Sequence, residues 1–295
     1  MQYKNILFIT LSNIGDVILT TPVIEKIHQL HPKALIDIVG DEKSKIIFKN
    51  CPYIGSFFQK NKRKGFLELL RLLHLIRKKN YDLAIDLRSD GLLFFVKADL
   101  KYHKKNNINV HSIEKHFLSL GLGLNNIPNP RMWITEIERK AVQQFILKNN
   151  KILTIGLGAN SPHKIWPTMN YAQLANDLMY SYKNVLLVGD KNDSNLGNYF
   201  MKHYNGNAIN LCGKLNLIET AALIEGSDLF VGNDSGLGHI ASAVGTKSYT
   251  IFGEGRPNIY KPWGNNAFWF QDPDKNIARI HPEIIIDNIK KFIIK

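Results

Sequence analysis

Short apolar runs alternate along the chain with stretches in which apolar positions recur every three or four residues. Residues 5–11 read as a strand and 16–30 as an amphipathic helix. The strand pattern returns at 35–39 and 82–87, and the helical one at 42–50 and 66–79. This alternation predicts parallel βαβ units. The chain loosens at 101–110, which is basic and Asn-rich, and at 121–130, which holds two Gly and two Pro, before a helix over 136–149. The pattern then restarts, with strands over 152–157, 185–189, 229–231 and 248–252 and helices over 170–182, 194–203, 217–226 and 237–244. The expected class is α/β, with two doubly wound parallel-sheet domains, 1–150 and 151–295, facing across a cleft. A C-terminal helix is expected to pack back on the first domain. In open sheets of this kind ligands lie beyond the carboxyl ends of the strands, so the loops there are the first place to look for chemistry.

Four such loops carry polar groups. The first strand runs into Leu11-Ser12-Asn13-Ile14-Gly15-Asp16, which puts Asp16 in a first helical turn at the cleft edge; helix capping alone accounts equally for an Asp there. Gly156-Leu157-Gly158-Ala159-Asn160-Ser161 precedes Lys164-Ile165-Trp166-Pro167, a small flexible loop before a fixed cation. Lys164 and the Ser161 hydroxyl suit a diphosphate, and Trp166 suits either packing beneath the loop or contact with a base; a solvated lysine is the plain alternative. Gly189-Asp190-Lys191-Asn192-Asp193 offers a carboxylate to ribose hydroxyls or to a helix cap. In Phe230 to His239, FVGNDSGLGH, an apolar strand stops in a Gly-Asn-Asp-Ser-Gly turn at a helix start, where unpaired N–H groups and Gly236 and Gly238 admit an anion. Capping by Asp234 or Ser235 is the competing account, and His239 reads as a packed helical residue or one reaching back to the loop. Arg256, in Gly253-Glu254-Gly255-Arg256, is a further cation near this end. The first of these loops is neither a nucleotide-binding P-loop nor a Gly-x-Gly-x-x-Gly dinucleotide fingerprint.

Composition narrows the class. With 295 residues, 44% of them apolar, the chain can bury a large core, yet no apolar run approaches the roughly 18 residues of a membrane span. The first strand is too short for a signal-peptide core, and a cytoplasmic location is expected. Cys51 and Cys212 have no disulfide or zinc spacing and read as structural. The charge is lopsided: residues 1–150 carry 24 Lys and Arg against 13 Asp and Glu, whereas the remainder carries 14 against 12. Clusters at Lys60, Lys62, Arg63 and Lys64, at Arg77-Lys78-Lys79, and at Lys101, Lys104 and Lys105 suit an anionic membrane face or an acidic glycan, or are solvated loops. No nucleic-acid-binding module accompanies them.

Three of these anchors, in this order, resemble the ADP-heptose:lipopolysaccharide heptosyltransferase family, glycosyltransferase family 9, which has the GT-B fold of two Rossmann-like domains. The carriers are the opening Ser12-Asn13-Ile14-Gly15-Asp16-Val17-Ile18-Leu19-Thr20-Thr21-Pro22, the Lys164-x-Trp166-Pro167 loop, and Asp234-Ser235-Gly236-Leu237-Gly238-His239. The resemblance implies an inverting transferase that moves heptose from ADP-heptose to a lipopolysaccharide inner-core acceptor. In it Asp16 is the general base and Lys164 assists departure of the diphosphate. Donor contacts fall on Asn160, Ser161, Asp193, Asp234, Ser235, Gly236 and His239; Asp193 stands where the family usually has Glu, and Pro162-His163 departs from the usual approach to the lysine. The basic residues Lys60, Lys62, Arg63, Lys64, Lys101 and Lys104 would meet an anionic lipid A–core acceptor at the cytoplasmic face of the inner membrane. No Asp-x-Asp motif lies near these loops, so no metal and no cofactor are expected. Another nucleotide sugar, a protein acceptor, or a silent glycan-binding protein on the same fold are the alternatives.

Overall fold

Two parallel sheets, one in each of the units Met1–Trp133 and Ile134–Lys295, organise the chain. The computed structural model describes residues 2–61, 65–89, 91–105, 109–146 and 150–292. The division falls earlier than the expected residue 150. Helix Glu136–Val142 belongs with the second unit, where Arg139 Nε donates to Glu225 at 2.7 Å and Ile146 packs on Gly226.

In the first unit β1 (Asn5–Ile9), β2 (Leu35–Gly40), β3 (Ile54–Gln59), β4 (Tyr81–Asp86) and β5 (Ala98–His103) lie in the order β3-β2-β1-β4-β5. The central strand β1 is buried from Ile6 to Ile9, as a strand covered on both faces requires. Residues 98–103, part of which the composition marks as loose, are instead the edge strand β5, whose side chains are mostly exposed. The single helix expected over 16–30 is two, α1 (Ile14–Ile18) and α2 (Thr21–Leu30). Pro22 cannot donate into a continuing helix but is tolerated in a first turn, and the Thr20 and Thr21 hydroxyls donate to the Val17 and Ile18 carbonyls at 2.6 and 2.8 Å. Helix α3 (Glu42–Phe48) is capped by Asp41, whose carboxylate accepts from the Ser44 N–H at 3.0 Å. One sheet face is covered by α4 (Gly65–Ile76) and by a 3-10 turn at Leu92–Phe95: Leu72, Ile76, Leu92 and Leu93 share a cluster with Leu7, Ile9 and Val39. Buried Asp37 on β2 is paired by Lys79 Nζ at 2.7 Å and receives the Tyr81 hydroxyl at 3.0 Å and the Ser56 N–H at 2.6 Å.

Helix α5 (Ser112–Ser119) closes this unit with a capping box of His111 and Glu114. It carries a fully buried histidine, His116.

The second unit orders β6 (Ile152–Gly156), β7 (Asn184–Val188), β8 (Asn207–Asn210), β9 (Leu229–Asn233), β10 (Ser248–Phe252) and β11 (Ala267–Gln271) as β11-β10-β9-β6-β7-β8, all parallel. Its helices are α6 (Glu136–Val142), α7 (Thr168–Leu178), α8 (Ser194–His203), α9 (Leu217–Glu225), α10 (Gly236–Ala243), the short α11 (Pro257–Tyr260) and α12 (Pro282–Phe292). The C-terminal helix α12, expected on the first domain, places Ile285, Ile286 and Ile289 in the core of the second unit, with Lys290 paired to Asp177 of α7 at 2.5 Å. Its apolar stripe at i, i+1 and i+4 matches the nearest open sheet face, that of its own unit. Both cysteines are buried and unbonded, and burial holds their thiols well above the usual range. Among the described residues no helix is long and apolar enough to cross a membrane.

Burial, then the charges of Lys104 and Lys115, hold the His116 imidazole down to about 3, whereas an unfolded histidine titrates near 6.5. Between those values the unfolded chain binds the extra proton. Stability is therefore expected to fall as pH drops through 6.5 toward 3, by up to about 1.4 kcal/mol per pH unit. Urea midpoints measured at pH 7.5 and 5.0 check this, and His116→Asn is expected to flatten the difference.

Candidate functional site

Strand β9 is buried along its whole length and ends on a polar side chain, Asn233, which is itself fully buried. An amide there must find partners, and it draws three segments to itself. Its Nδ2 donates to the Leu157 carbonyl at 2.8 Å, and its Oδ1 accepts the Trp166 N–H and the Tyr171 hydroxyl, both at 2.9 Å. The loop after β6, the lysine loop and α7 are thereby set relative to the β9 terminus. Trp166 is wholly buried beneath this loop, its Nε1 donating to the Ile280 carbonyl at 2.8 Å and its ring edge-on to Tyr171. Of the two roles open to Trp166, packing is the one the fold uses.

The lysine follows from that anchor. A 3-10 turn at Pro162–Lys164, closed by the Lys164 N–H on the Ser161 carbonyl, projects Lys164 toward the end of β9, where its Nζ meets Asp234 Oδ2 at 2.5 Å. Lys164 keeps 35% of its side chain exposed and Asp234 only 12%. The next loop is fitted to the same carboxylate: a Cβ on Gly255 would lie 2.6 Å from Asp234 Oδ2, and Gln271 holds the Gly253 and Gly255 carbonyls at 2.7 and 2.8 Å. Arg256, just beyond, is exposed.

Helix α10 starts beside this pair with Ser235 as its N-cap residue, and no side chain caps it. The Ser235 Oγ is withdrawn from solvent and has no hydrogen-bond partner among the described residues. Gly236 and Gly238 open the helix, so its first N–H groups and the positive end of its dipole are unobstructed by side chains there. His239 is buried one turn in. Asn160 is exposed and Ser161 half-buried on the adjoining loop.

Asp193 takes part in a helix cap. Its Oδ2 accepts the Asp190 N–H at 2.9 Å within a capping box. The carboxylate also lies over the two neighbouring strand ends, where a Cβ on Gly158 or Gly189 would collide with it. Burial pushes its pKa up, opposed by the Asp190 N–H and reinforced by the Asp190 charge.

In the first unit Asp16 lies in the first turn of α1, half-buried, and receives Asn13 Nδ2 at 2.9 Å. Lys104, at the carboxyl end of β5, is close enough for the Asp16 charge to act on it; burial, then Lys115, lowers the ammonium pKa, and Asp16 opposes them. Lys101 is exposed in mid-strand on β5 and Lys60 half-buried at the end of β3. Lys62, Arg63 and Lys64 lie outside the described residues. Among the described residues no three His, Cys, Asp or Glu side chains gather into a metal-holding group.

The structure thus brings together Lys164, Asp234, Ser235 and Gly236 in one unit, and Asp16 with Lys104 in the other. Reading the chain missed Asn233, counted as part of the turn. The signal was there in its position as the last residue of an otherwise apolar buried run. Asn233→Ala would strand the Trp166 N–H, the Tyr171 hydroxyl and the Leu157 carbonyl, and is expected to cost about 3 kcal/mol or more in urea unfolding.

The profile of the family described as "Glycosyltransferase family 9 (heptosyltransferase)" matches residues 91–283. Among curated proteins the sequence is 26% identical over 301 residues to lipopolysaccharide heptosyltransferase 2 of Escherichia coli K12, covering 89% of this chain and 86% of that one. It is 28% identical over 313 residues to lipopolysaccharide heptosyltransferase 1 of Campylobacter coli, covering 92% and 90%. Among solved structures it is similar to a glycosyl transferase family 9 protein from Veillonella parvula, with TM-score 0.89 at 21% identity, covering 99% of this chain and 98% of that one. It is also similar to E. coli ADP-heptose lps heptosyltransferase II, with TM-score 0.81 at 20% identity, covering 100% and 99%. These likenesses give the two sheets as the halves of a GT-B fold.

Proposed function

Because the chain belongs to glycosyltransferase family 9, we propose that it transfers heptose from ADP-heptose to a lipopolysaccharide inner-core acceptor with inversion at the anomeric carbon. The donor follows the relatives, which include an E. coli heptosyltransferase solved with ADP-2-deoxy-2-fluoro heptose. The observation that carries the reading for this chain is the Lys164–Asp234 pair at the uncapped start of α10. A cation on a half-buried stem beside free helical N–H groups is suited to the charge that develops on a departing nucleoside diphosphate.

In the proposed reaction the acceptor hydroxyl oxygen attacks the anomeric carbon as the bond from that carbon to the diphosphate oxygen breaks. The hydroxyl proton passes to Asp16, held in place by Asn13, and ADP leaves with its charge met by Lys164 and the first N–H groups of α10. Asp234 carries a charge that disfavours direct contact with a diphosphate, so its part is to aim Lys164. Asp193 contacts the ribose hydroxyls, Asn160 and Ser161 line the donor loop, and His239 supports the helix start from within. A free carboxylate is a weak base, so proton transfer accompanies formation of the new bond rather than preceding it. Lys104, Lys101, Lys60 and the neighbouring basic residues meet the anionic acceptor at the cytoplasmic face of the inner membrane.

Asp16→Asn is expected to lower kcat by about a hundredfold or more while leaving ADP-heptose affinity unchanged, since general-base assistance is worth about 10²–10⁴; an unaltered kcat removes the role assigned to Asp16. Lys164→Ala should instead weaken binding of ADP itself, read by calorimetry. With Lys164 and a helix terminus supplying the positive charge, full turnover is expected in EDTA. A loss that Mg²⁺ restores would count against this. Products formed from ADP-heptose and from UDP- and GDP-sugars, resolved by mass spectrometry, test the donor assignment.

A further inference from the structure

Helix α4 reads Gly-Phe-Leu-Glu-Leu-Leu-Arg-Leu-Leu-His-Leu-Ile, with its three polar side chains, Glu68, Arg71 and His74, along one stripe. An amphipathic helix of this kind ordinarily buries its leucines. Here Leu72 and Ile76 enter the core, whereas Leu67 is 79% exposed and Leu70 and Leu75 are also exposed. The 3-10 turn at Leu92–Phe95 repeats the arrangement on the same sheet face. Gly91, at φ +81°, starts the turn, Leu92 and Leu93 go inward, and Phe94 and Phe95 stand outward at 76% and 57% exposure. Two adjacent exposed phenylalanines and three leucines on one face are far from the scattered single apolar residues of an ordinary surface.

The charges along this stretch are mainly positive. Residues 60–105 contain 13 Lys and Arg against 5 Asp and Glu. Arg71 stands among the exposed leucines of α4, Lys97 follows the phenylalanine turn, and Lys101 points to the same sheet face, in register with Ala84. His103 touches the Phe94 ring, with centroids 5.6 Å apart, and is followed by Lys104, which feels the charge of Asp16. A second copy of the chain docking here isologously would set these cations against their own images. An anionic bilayer answers both features: its headgroups meet the cations and its acyl boundary takes up the phenylalanines and leucines.

We infer that the outer face of α4 and the Leu92–Phe95 turn form a membrane-docking surface that seats the first unit on an anionic leaflet by inserting Phe94 and Phe95. The inference deepens the membrane contact proposed above, adding an apolar, salt-resistant component to the electrostatic one, and rests on the first unit alone rather than on the identity of the transferred sugar.

Co-sedimentation of the full chain with phosphatidylglycerol–phosphatidylcholine vesicles tests it, alongside F94S/F95S, whose changed side chains lie outside the core. The double variant is expected to bind about tenfold more weakly or worse, and high salt to abolish its binding while leaving part of the wild-type binding. F94W gives a second readout: its indole is expected to be quenched by acyl-brominated phosphatidylglycerol. Equal binding of F94S/F95S and wild type, absence of wild-type binding to these vesicles, or an unquenched F94W indole overturns the proposal. So does a wild-type dimer that F94S/F95S converts to monomer, which would give the face to a second copy. Turnover of ADP-heptose with a deacylated Kdo-containing core, which needs no membrane, is expected to be the same in wild type and F94S/F95S. Its absence in both would count against the transferase reading while the vesicle result still decides the surface.

Discussion

A single buried amide holds the second unit's site in register. Asn233 closes a strand that is otherwise apolar, and once inside the fold its donor and acceptor have no water to turn to. Bonds to the Leu157 carbonyl, the Trp166 N–H and the Tyr171 hydroxyl satisfy it, and each fixes a different piece of chain. Trp166 then locks the lysine loop from below, so that the long, flexible stem of Lys164 emerges from a rigid base two residues away. A cation on a loop is only as well placed as what holds the loop, and here that support is a buried polar network in which every arm is used.

Charge is distributed with the same economy. The Lys164–Asp234 pair keeps each partner from standing alone in a half-buried position, while leaving about a third of the Lys164 side chain exposed. The start of α10 supplies a second positive element through backbone groups, which need no counter-ion. In the first unit burial, reinforced by the charges of Lys104 and Lys115, holds the His116 pKa down, and Lys104 also feels the charge of Asp16. Glycines make room where side chains converge. Gly158 and Gly189 lie under the Asp193 carboxylate and Gly255 lies against Asp234, so the acidic groups sit where a methyl would otherwise be.

How legible an element was in the sequence tracks how many neighbours it has. Strands β1, β6, β9 and β10 are flanked on both sides and covered on both faces, so they must be nearly all apolar and announce themselves. Strands β3, β5, β8 and β11 lie at the sheet edges, carry half-exposed patterns such as Asn-Ala-Ile-Asn, and were not assigned as strands. The break between α1 and α2 was written in Pro22, but a proline in a first turn and one in a kink look alike until the preceding turn is seen.

Local chemistry along the chain was enough to establish two βαβ series, a lysine loop, a glycine-opened helix and an Asp in a first turn, because spacing and residue type are properties of a few consecutive positions. Which neighbours those groups acquired was decided only by tertiary structure. That Lys164 faces Asp234 across 70 residues, that Trp166 packs instead of stacking on a ligand, that helix α12 closes its own unit, and that α4 leaves three leucines uncovered all depend on contacts between distant segments. Such contacts are set by how whole faces are buried together, and no short stretch of sequence carries that information.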